Sequence, residues 1–510
     1  MRILAEASSI GIASTAVAFS SFSLGARTAS QRPGTMCSTI ARSAARSRSG
    51  SPMMAGVPKS ATAIAPARSC AYTVLLRVFQ HGAYADQALQ AESRALDPRD
   101  RALAMRLVYG TVQRMGTLDH LIGGLAQRPP ERLDPPVLAT LRLGLYELLY
   151  LRGSPDYAVV GDAVELAKTR ARGGHGLVNA VLRRAAREGP GVLLGALTDA
   201  TPEQAAVKHS HPEWIARMWW RELGAHDARA LMAFDNEPGE VALRANTLLS
   251  DAVALAAELP VRTHPDPEIP EALVLEEPFD VHGSPLWKAG AFLAQSRAAM
   301  LVARTLAPRP GERVLDLCAA PGGKSTHLAA LMENRGEVVA VERNQRRAGA
   351  LVRTAQRLRA SAVRVEIADA TLGRTDGASF DRVLVDPPCS GLGVLQARPD
   401  LRWRATPEAT AEMVQAQAAI LAVGARALRP GGVLVYSTCT ISPTENERLI
   451  AAFLDSNPDF SLDDLAAEWP ALALSAPGGQ PSGAIPAGLL LTLPHRDRTA
   501  GFFIARLRRS

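Results

Sequence analysis

Short runs of apolar, mostly β-branched residues alternate with helical stretches in the C-terminal part of this chain of 510 residues. The runs cover residues 313–317, 338–341, 363–367, 382–385, 433–436 and 502–507. This alternation predicts an α/β fold with a mostly parallel, doubly wound sheet. Because such sheets bind ligands in a crevice at the carboxyl ends of their strands, the residues that follow each run are the first candidates for chemistry.

The N-terminal half has a helical pattern instead. Asp97-Pro98 indicates an N-cap followed by proline at the first helical position. Residues 137–151 are apolar on nearly all sides apart from Arg142 and Glu147, as in a central buried helix. We therefore expect an all-α domain over residues 62–190, a connecting α/β region over 200–285 and the doubly wound domain over 286–510.

Residues 1–61 form an extension of different composition. No acidic residue occurs from Ala7 to Ala85, and the first sixty positions are rich in Ser, Ala, Gly and Arg without periodicity. This composition predicts a disordered or targeting segment. The net charge of +7 resides in residues 1–70, since the remaining residues carry equal numbers of acidic and basic side chains. Overall charge thus says nothing about nucleic acid, and only a local patch could bind it.

Cysteine usage and hydropathy narrow the class of protein. The five cysteines are Cys37, Cys70, Cys318, Cys389 and Cys439, an odd number without a CxxC pair or a histidine at metal spacing. The sequence therefore predicts no disulfide framework and no metal site, and it fits a reducing cytosol. No apolar run approaches the roughly 20 residues that a membrane-spanning helix needs, so we expect no membrane association.

A loop of small residues follows the first predicted strand of the doubly wound domain and opens a helix. Its residues are Cys318, Ala319, Ala320, Pro321, Gly322, Gly323 and Lys324. Small residues allow the backbone to approach a ligand closely, and the helix N-terminus offers unpaired N–H groups. A phosphate-binding loop of the NTPase type would need glycine at position 318, where this chain has cysteine, which disfavours that function.

Acidic residues follow the second and third predicted strands. Glu342 lies twenty residues beyond Gly322, where an acid accepts hydrogen bonds from ribose hydroxyls in dinucleotide-binding folds. Asp369 follows the third strand, where it could bind an adenine amino group. A single acid at a strand end is more often solvated, but two on successive strands predict a site for a nucleoside-containing cofactor.

Two cysteines lie at the ends of the fourth and fifth strands. The fourth strand leads into Asp386-Pro387-Pro388-Cys389-Ser390-Gly391, and the fifth leads into Ser437-Thr438-Cys439-Thr440. The double proline stiffens the turn and restricts Asp386 to extended geometry. Ser442-Pro443-Thr444-Glu445 then predicts a capping box at the start of a further helix. Each cysteine alone could be a small buried apolar residue, but two beside the crevice indicate thiol chemistry.

At these motifs the chain resembles the cytosine-5 RNA methyltransferases of the Sun (RsmB) family. The loop from Cys318 to Lys324 resembles the family's cofactor loop, the segment from Asp386 to Gly391 its substrate motif, and Ser437-Thr438-Cys439 its nucleophile motif. Phe292–Gln295 resembles the segment that precedes the cofactor loop. The helical region is similar to a NusB-like RNA-binding domain, so the resemblance covers residues 66–508.

The resemblance implies a Rossmann-like methyltransferase domain that uses S-adenosyl-L-methionine, with Asp386 contributing to both the cofactor and the substrate site. Cys439 would attack C6 of a cytosine, Cys389 would assist release, and Asp386 would bind the base edge near N3 and N4. The implied substrate is 16S ribosomal RNA, at cytosine 967. The implied enzyme is a cytoplasmic monomer, or is imported into an organelle if residues 1–60 are a transit peptide.

For RNA contacts the sequence favours a segment just beyond the substrate motif. It contains Arg398, Arg402, Trp403 and Arg404, where guanidinium groups and an aromatic ring are interleaved. The alternative interpretation is that Trp403 packs inward while the arginines are solvated.

Two other functions remain open at this point. A methyltransferase for exocyclic amino groups also uses an Asp-Pro-Pro motif, but it would not need Cys439 and places an aromatic residue where Cys389 stands. A noncatalytic RNA-binding or antitermination factor would account for the NusB-like region. The complete cofactor loop and the two thiols argue against that second alternative.

Overall fold

The structure is a computed structural model that describes residues 64–171, 173–373, 379–472 and 488–510. The predicted N-terminal extension and Cys37 lie outside these described residues.

Seven α-helices form the part of the N-terminal domain that the structure describes. They are α1 (Pro66–His81), α2 (Ala85–Glu92), α3 (Pro98–Gln113), α4 (Met115–Ala126), α5 (Pro135–Tyr150), α6 (Asp156–Arg170) and α7 (His175–Gly195). A short 3₁₀ turn covers Pro130–Arg132. Helix α7 is broken at Gly189, which has a positive φ of 76°. The next residue is Pro190, which has no N–H group to continue the helical hydrogen bonds.

Sequence signals account for the two helices that were singled out above. Asp97 caps α3 by accepting hydrogen bonds from the backbone N–H groups of Arg99 and Asp100. Helix α5 is the central helix, and the charged residues on it are paired rather than exposed. Glu147 binds Arg68, and Arg142 donates to Asp119 at 2.7 Å. Pairing is what allows these charges to stay in an otherwise apolar helix.

Two helices and a small antiparallel sheet connect the N-terminal domain to the large sheet. The helices are α8 (Pro202–His209) and α9 (Glu213–Phe234), the second broken at Gly224. The sheet has the order β2-β3-β1-β4, with β1 at Ala242–Ala245, β2 at Thr263–Pro265, β3 at Ala272–Leu275 and β4 at Phe292–Ala294. Helices α10 (Ala252–Glu258) and α11 (Pro285–Ala289) lie between its strands in the chain.

The C-terminal domain contains the large sheet and its covering helices. Its helices are α12 (Arg297–Leu306), α13 (Gly323–Leu331), α14 (Gln345–Arg357), α15 (Leu401–Arg404), α16 (Pro407–Ala427), α17 (Glu447–Ser456) and α18 (Pro494–Asp497). Its strands are β5 (Arg313–Asp316), β6 (Glu337–Val341), β7 (Val363–Glu366), β8 (Phe380–Val385), β9 (Leu428–Thr438), β10 (Phe460–Leu462), β11 (Leu490–Leu491) and β12 (Phe503–Arg509).

The sheet has the order β10-β12-β9-β8-β5-β6-β7. The five strands from β9 to β7 are parallel, whereas β12 pairs antiparallel with β9 and also pairs with β10 and β11. The predicted Rossmann-like α/β fold with an N-terminal all-α domain is therefore confirmed. Successive strands are added on one side of β5 up to β7 and on its other side from β8 onward. This reversal of the strand order creates a crevice at the carboxyl ends of β5 and β8.

The core of the large sheet also anchors the connecting helices. Trp219 of α9 is fully buried there, and its indole N–H donates to the carbonyl oxygen of Ile441 at 3.1 Å. Among the described residues, no helix is both long and apolar enough to cross a membrane.

Candidate active site

A cavity of about 730 Å³ opens at the crevice between β5 and β8. The loops after β5, β6, β7, β8 and β9 all contribute to its lining, including Cys318, Glu342, Asp369, Asp386 and Cys439. The side chains that the sequence predicted for cofactor binding and catalysis, at five separate strand ends, thus line the same cavity. Its volume lies in the range that is typical of small-molecule and cofactor sites.

The loop after β5 is shaped by glycine at its turn into α13. Gly322 has a φ of 103°, a left-handed conformation, and a Cβ atom there would clash with the side chain of Leu351. Gly323 is the first residue of α13, so the free N–H groups of that helix start at the loop. Arg347 closes the other side of the loop by donating to the carbonyl oxygen of Ala320 at 2.9 Å. Small residues and backbone donors therefore face the cavity.

The two acids predicted to hold the cofactor are fixed by local hydrogen bonds. Glu342 is 4% exposed, accepts the backbone N–H of Asn344 at 2.8 Å, and lies 3.3 Å from Arg347. Asp369 accepts the backbone N–H and the hydroxyl of Thr371. Burial favours a higher pKa of Asp369, but the hydrogen bonds from Thr371 outweigh it and lower the pKa.

Asp316 provides a further acceptor that was not predicted from the sequence. It ends β5, lines the cavity, and its Oδ2 accepts a hydrogen bond from the Ser325 hydroxyl at 2.7 Å. Its Oδ1 is buried and has no partner among the described residues. Burial raises the pKa of Asp316 to about 7. The loop's small residues and this free acceptor fit the predicted S-adenosyl-L-methionine, which carries an amino group.

Asp386 is held between two donors. Its Oδ1 accepts from the Ser437 hydroxyl at 2.8 Å, and its Oδ2 accepts from Lys324 Nζ at 2.7 Å. Burial disfavours the charged Lys324, but Asp386 outweighs burial and raises the pKa of the ammonium. Lys324, predicted as a cofactor-loop residue, therefore connects that loop to the substrate motif. It also lies over the ring of Phe502, 5.1 Å from the ring centroid.

The two cysteines predicted for catalysis are in contact. Cys389 Sγ and Cys439 Sγ are 3.3 Å apart, and both residues line the cavity. Cys389 is 5% exposed, whereas Cys439 is more open. The hydrogen bond with Cys439, together with burial, raises the pKa of Cys389 well above its usual value. One thiol thus stays protonated next to the more accessible one.

Glu445 connects the loops that carry the two thiols. Its side chain accepts the backbone N–H of Ser390 at 2.9 Å, the Ser390 hydroxyl at 2.5 Å and Gln417 Nε2 at 3.0 Å. The predicted capping box over 442–445 is therefore wrong, since α17 begins later, at Glu447. Glu445 reaches across to the next loop because three donors meet there.

A second set of bonds fixes the backbone around Cys439. The hydroxyls of Ser390 and Thr440 are 2.6 Å apart, and the backbone N–H of Gly393 donates to the carbonyl oxygen of Cys439 at 3.0 Å. Asn446 accepts from Thr438 and donates to the carbonyl oxygen of Thr440. These contacts hold the two strand-end loops in one arrangement, which aligns the sulfur atoms.

The predicted RNA contacts need correction, because the structure buries this segment against other domains. Arg402 is fully buried and donates to the carbonyl oxygens of Gln113, Ser210 and Asp235. The indole N–H of Trp403 donates to the carbonyl oxygen of Val112. The same segment also contributes Arg404, which donates to the carbonyl oxygens of Gly82 and Ala83 and lies over the ring of Tyr84.

Arg402 and Trp403 therefore join the C-terminal domain to the helical domain, and Trp403 packs inward as the alternative interpretation had it. Arg404 shares in this contact, although its side chain is 30% exposed. Arg398 differs from them, because it lines the cavity while it pairs with Asp86 at 3.2 Å. The sequence pattern misled because an arginine whose guanidinium satisfies buried carbonyl groups looks the same as one that faces a phosphate. Among residues 64–171, 173–373, 379–472 and 488–510, no cluster of His, Cys, Asp and Glu could hold a metal ion.

Comparison with family profiles finds three matches along the chain. Residues 303–508 match the profile described as 16S rRNA methyltransferase RsmB/F. Residues 65–187 match the NusB family, and residues 211–282 match the ferredoxin-like domain of RsmF/B-like methyltransferases. The small antiparallel sheet thus belongs to a recurring module, which the mixed helix and strand signals of this region did not identify.

Similar proteins extend over most of the chain. Probable ribosomal RNA small subunit methyltransferase B from Synechocystis is 35% identical, over 87% of this chain and 99% of its own length. Ribosomal RNA small subunit methyltransferase B from Thermus thermophilus is 36% identical, over 87% and 97%. The solved structure of PH0851 has a TM-score of 0.70 and 26% identity, over 87% and 99%. NSun6 from Pyrococcus horikoshii, solved with SFG, shares the fold, with a TM-score of 0.52, 24% identity and coverage of 58% and 98%.

Proposed function

The chain belongs to the RsmB/F family of 16S rRNA methyltransferases, and we propose that it methylates C5 of a cytosine in 16S rRNA through a covalent cysteine adduct. The target inferred from the family resemblance is cytosine 967. The observation that carries the proposal is the pair of sulfur atoms, 3.3 Å apart beside Asp386 at adjacent strand ends. We further propose that the enzyme acts as a monomer in the cytoplasm.

The cofactor proposed for the site is S-adenosyl-L-methionine, which supplies an electrophilic methyl group. The loop from Cys318 to Lys324 would surround it with small residues and backbone N–H groups. Glu342 would accept from the ribose hydroxyls, and Asp369 from the adenine amino group. The unpaired Oδ1 of Asp316 adds an acceptor for an amino group.

Cys439 would act as the nucleophile. C5 of cytosine reacts poorly with electrophiles, so covalent activation of the ring lowers the barrier. The Cys439 thiolate forms a bond to C6, and the electrons of the C5–C6 double bond make C5 nucleophilic enough to take the methyl group. Removal of the C5 proton by a base then restores the double bond, and the bond from Cys439 to C6 breaks.

Cys389 would assist this last step. Its raised pKa keeps it protonated, and its sulfur lies 3.3 Å from the sulfur that must leave C6. A hydrogen bond from the Cys389 thiol stabilises the departing thiolate of Cys439. Loss of Cys389 should therefore slow release more than attack.

Asp386 would orient the cytosine. Its carboxylate is fixed by Ser437 and Lys324, so it can accept a hydrogen bond from the exocyclic N4 amino group without reorganising. The base must leave its stack to enter the cavity, which favours a cytosine in a loop or bulge. The alternative of amino-group methylation assigns no role to the contact between the two thiols.

The test is to incubate the purified protein with unmodified 16S rRNA and S-adenosyl-L-methionine, and to map the methylated nucleotide. The proposal expects 5-methylcytosine at one position, and equal activity from Cys70→Ala, a thiol in the helical core. Methylation of an exocyclic amino group would favour the amino-methyltransferase alternative. RNA binding without any methylation would favour the noncatalytic factor.

A further inference from the structure

The cavity that holds the two thiols extends to the boundary with the helical domain. Asp86 of α2 and Tyr109 of α3 line the same cavity as Cys439. Both side chains are nearly buried, and Arg398 from the segment after the substrate motif lies between the two domains. The helical domain therefore contributes side chains to the substrate cavity itself. We call this part, lined by Asp86, Tyr109 and Arg398, the junction pocket.

Only one of the two carboxylate oxygens of Asp86 has a partner among the described residues. Its Oδ2 lies 3.2 Å from Arg398 Nη2, and its side chain is 9% exposed. Its Oδ1 is buried and has no hydrogen-bond partner among the described residues. A buried acceptor without a donor costs stability, and such groups in folded proteins are usually satisfied by a ligand or water. The unpaired oxygen, on a residue that lines the cavity, can therefore accept a hydrogen bond from a bound ligand.

The charges of the junction pocket restrict which part of a ligand can bind. A carboxylate oxygen only accepts hydrogen bonds, and a phosphodiester has no hydrogen to donate at neutral pH, so the RNA phosphates are poor partners for Asp86. Arg398 already neutralises the carboxylate at 3.2 Å, which disfavours a metal cation. An N–H group on the edge of a nucleobase is a neutral donor that suits such an oxygen, and unstacked bases in RNA are recognised on these edges.

The junction pocket is also held in a fixed shape. Gln113 Nε2 donates to the carbonyl oxygen of Gln396, and Arg402 donates to that of Gln113. The carbonyl oxygen of Val112 accepts from Trp403. These bonds attach α3, which carries Tyr109, to the segment that carries Arg398. A pocket formed before the ligand arrives loses little conformational freedom on binding.

We propose that the junction pocket binds the base of a nucleotide flanking the target cytosine, with Asp86 Oδ1 accepting a hydrogen bond from an exocyclic amino group. This inference rests on the proposed function, since it assigns a second nucleotide of the same RNA. The base would be adenine, guanine or cytosine, each of which carries such an amino group. The helical domain would thereby select the sequence around the methylated cytosine.

The test combines Asp86→Asn with a scan of the RNA. Each nucleotide flanking the target is replaced in turn by uridine, which lacks the amino group, and kcat and KM are measured for the wild-type enzyme and the variant. For one flanking position, the wild type should lose about tenfold in kcat/KM, the value of one hydrogen bond to a charged group, whereas Asp86→Asn should lose nothing further. Cofactor affinity should stay constant.

The matched control is Asp119→Asn, which changes another Asp–Arg pair of the helical domain outside the cavity. It should discriminate between the RNAs as the wild type does. Equal losses for wild type and Asp86→Asn at every position would overturn the proposal, because Asp86 would then recognise no base. If Asp86→Asn does not fold, photo-crosslinking of wild-type enzyme replaces it, with 6-thioguanosine or 8-azidoadenosine at flanking positions, since both bases keep an exocyclic amino group. Crosslinks to the peptide containing Asp86 or Tyr109 support the junction pocket, and crosslinks confined to the C-terminal domain overturn it.

These outcomes are separate from the proposed function. If wild-type enzyme forms no 5-methylcytosine in the unaltered RNA, the proposed function fails. If it forms 5-methylcytosine and the flanking scan shows no coupling to Asp86, the junction pocket alone is wrong.

Discussion

The acidic side chains of the cavity are similar in type but differ in their neighbours, and the neighbours determine what each can bind. Asp386 accepts one hydrogen bond on each oxygen, from Ser437 and from Lys324, which fixes its orientation. Asp316 keeps an unpaired oxygen and a pKa raised to about 7. Glu342 is buried beside Arg347 but still lines the cavity. Each side chain is thus prepared for a different partner before any ligand binds.

At the residue scale, we predict that Glu342→Ala weakens cofactor binding. The substitution removes the proposed acceptor for two ribose hydroxyls, and the affinity for S-adenosyl-L-methionine should fall by about ten- to hundredfold, or about 1.5–3 kcal/mol. Titration calorimetry measures this directly. Glu337→Ala, at the other end of the same strand and outside the cavity, is the control. Equal affinity for wild type and Glu342→Ala would remove Glu342 from the cofactor site.

Residue types and strand positions were enough to predict the three thiols and several of the acids that line the cavity. Cys318, Glu342, Asp369, Cys389 and Cys439 each follow a recognisable strand, and strand ends converge in this fold. Partners distant in the chain were not predictable. Glu445 meets Ser390 across 55 residues, and Arg402 meets Gln113 across 289. A single sequence carries no signal for such contacts, because they depend on how the domains pack.

At the element scale, the small antiparallel sheet is attached to the Rossmann-like domain through a buried ionic cluster. Glu271 beside β3 accepts hydrogen bonds from Arg304 of α12 and from His327 Nε2 of α13, the latter at 2.7 Å. His327 is 2% exposed. Burial lowers the pKa of His327 to about 4 and outweighs the effect of Glu271. The histidine is therefore a neutral hydrogen-bond donor at neutral pH.

This cluster predicts a pH-dependent contribution to stability. Because the pKa of His327 is lower in the folded state than its usual value of about 6.5, the unfolded chain binds more protons between about pH 6.5 and pH 4. The contribution of neutral His327 to the free energy of unfolding is complete above pH 6.5. It decreases as the pH falls to about 4, and the total loss is up to about 3 kcal/mol. Urea denaturation at several pH values should show this slope in the wild type and a flatter one in His327→Gln.

The control for the pH series is His264→Gln, an exposed histidine on β2 of the same sheet. Its pH dependence should match that of the wild type. The assignment to His327 is wrong if His327→Gln and the wild type lose stability in parallel as the pH falls.

The elements differed in how well the sequence predicted them. All six predicted strands of the doubly wound domain are present, because each is an apolar run between helices. The strands β2, β4 and β10 have three residues each, too few for a period of two to stand out. The antiparallel pairing of β12 with β9 was not predicted either, because strand direction depends on the path of the preceding chain.

At the scale of the whole molecule, one arginine connects three parts of the chain. Arg402 follows the substrate motif and donates to carbonyl oxygens of the helical domain and of the segments around α8 and α9. Its charge also lies near Asp235, whose pKa is raised to about 7 by burial. This side chain therefore links the segment after the substrate motif to the helical domain by hydrogen bonds.

We predict that Arg402→Ala destabilises the junction between domains. The substitution leaves the buried carbonyl oxygens of Gln113, Ser210 and Asp235 without their donor. Each unsatisfied buried acceptor typically costs about 1–3 kcal/mol. In urea denaturation the midpoint should fall, and limited proteolysis should cut faster between the helical and C-terminal domains. Arg429→Ala, which removes a half-exposed pair with Asp381, should have little effect. Equal midpoints for Arg402→Ala and the wild type would mean that the domains dock independently of Arg402.

The modular plan of the molecule was predictable, but the assembly of the modules was not. The helical pattern predicted an all-α domain, and the alternation of strands and helices predicted an α/β domain. The family resemblance predicted that the two occur together in one chain. The sequence favoured Arg402, Trp403 and Arg404 as RNA contacts and left open that Trp403 packs inward, whereas in the structure all three form contacts between the modules. A surface for docking a domain and a surface for binding RNA use the same residue types, arginine and tryptophan.

The central claim is that Cys439 bonds to the cytosine while Cys389 promotes its release, and trapping of that bond tests it most directly. Three variants are compared: Cys439→Ala, Cys389→Ala and, as a control, Cys318→Ala, which removes a thiol of the cofactor loop. Each is incubated with unmodified 16S rRNA and S-adenosyl-L-methionine, and the products are separated by denaturing electrophoresis. We predict a denaturant-resistant protein–RNA adduct with Cys389→Ala, and neither adduct nor methylation with Cys439→Ala. An adduct with Cys439→Ala would reverse the two roles, and activity without any adduct in both variants would contradict covalent catalysis.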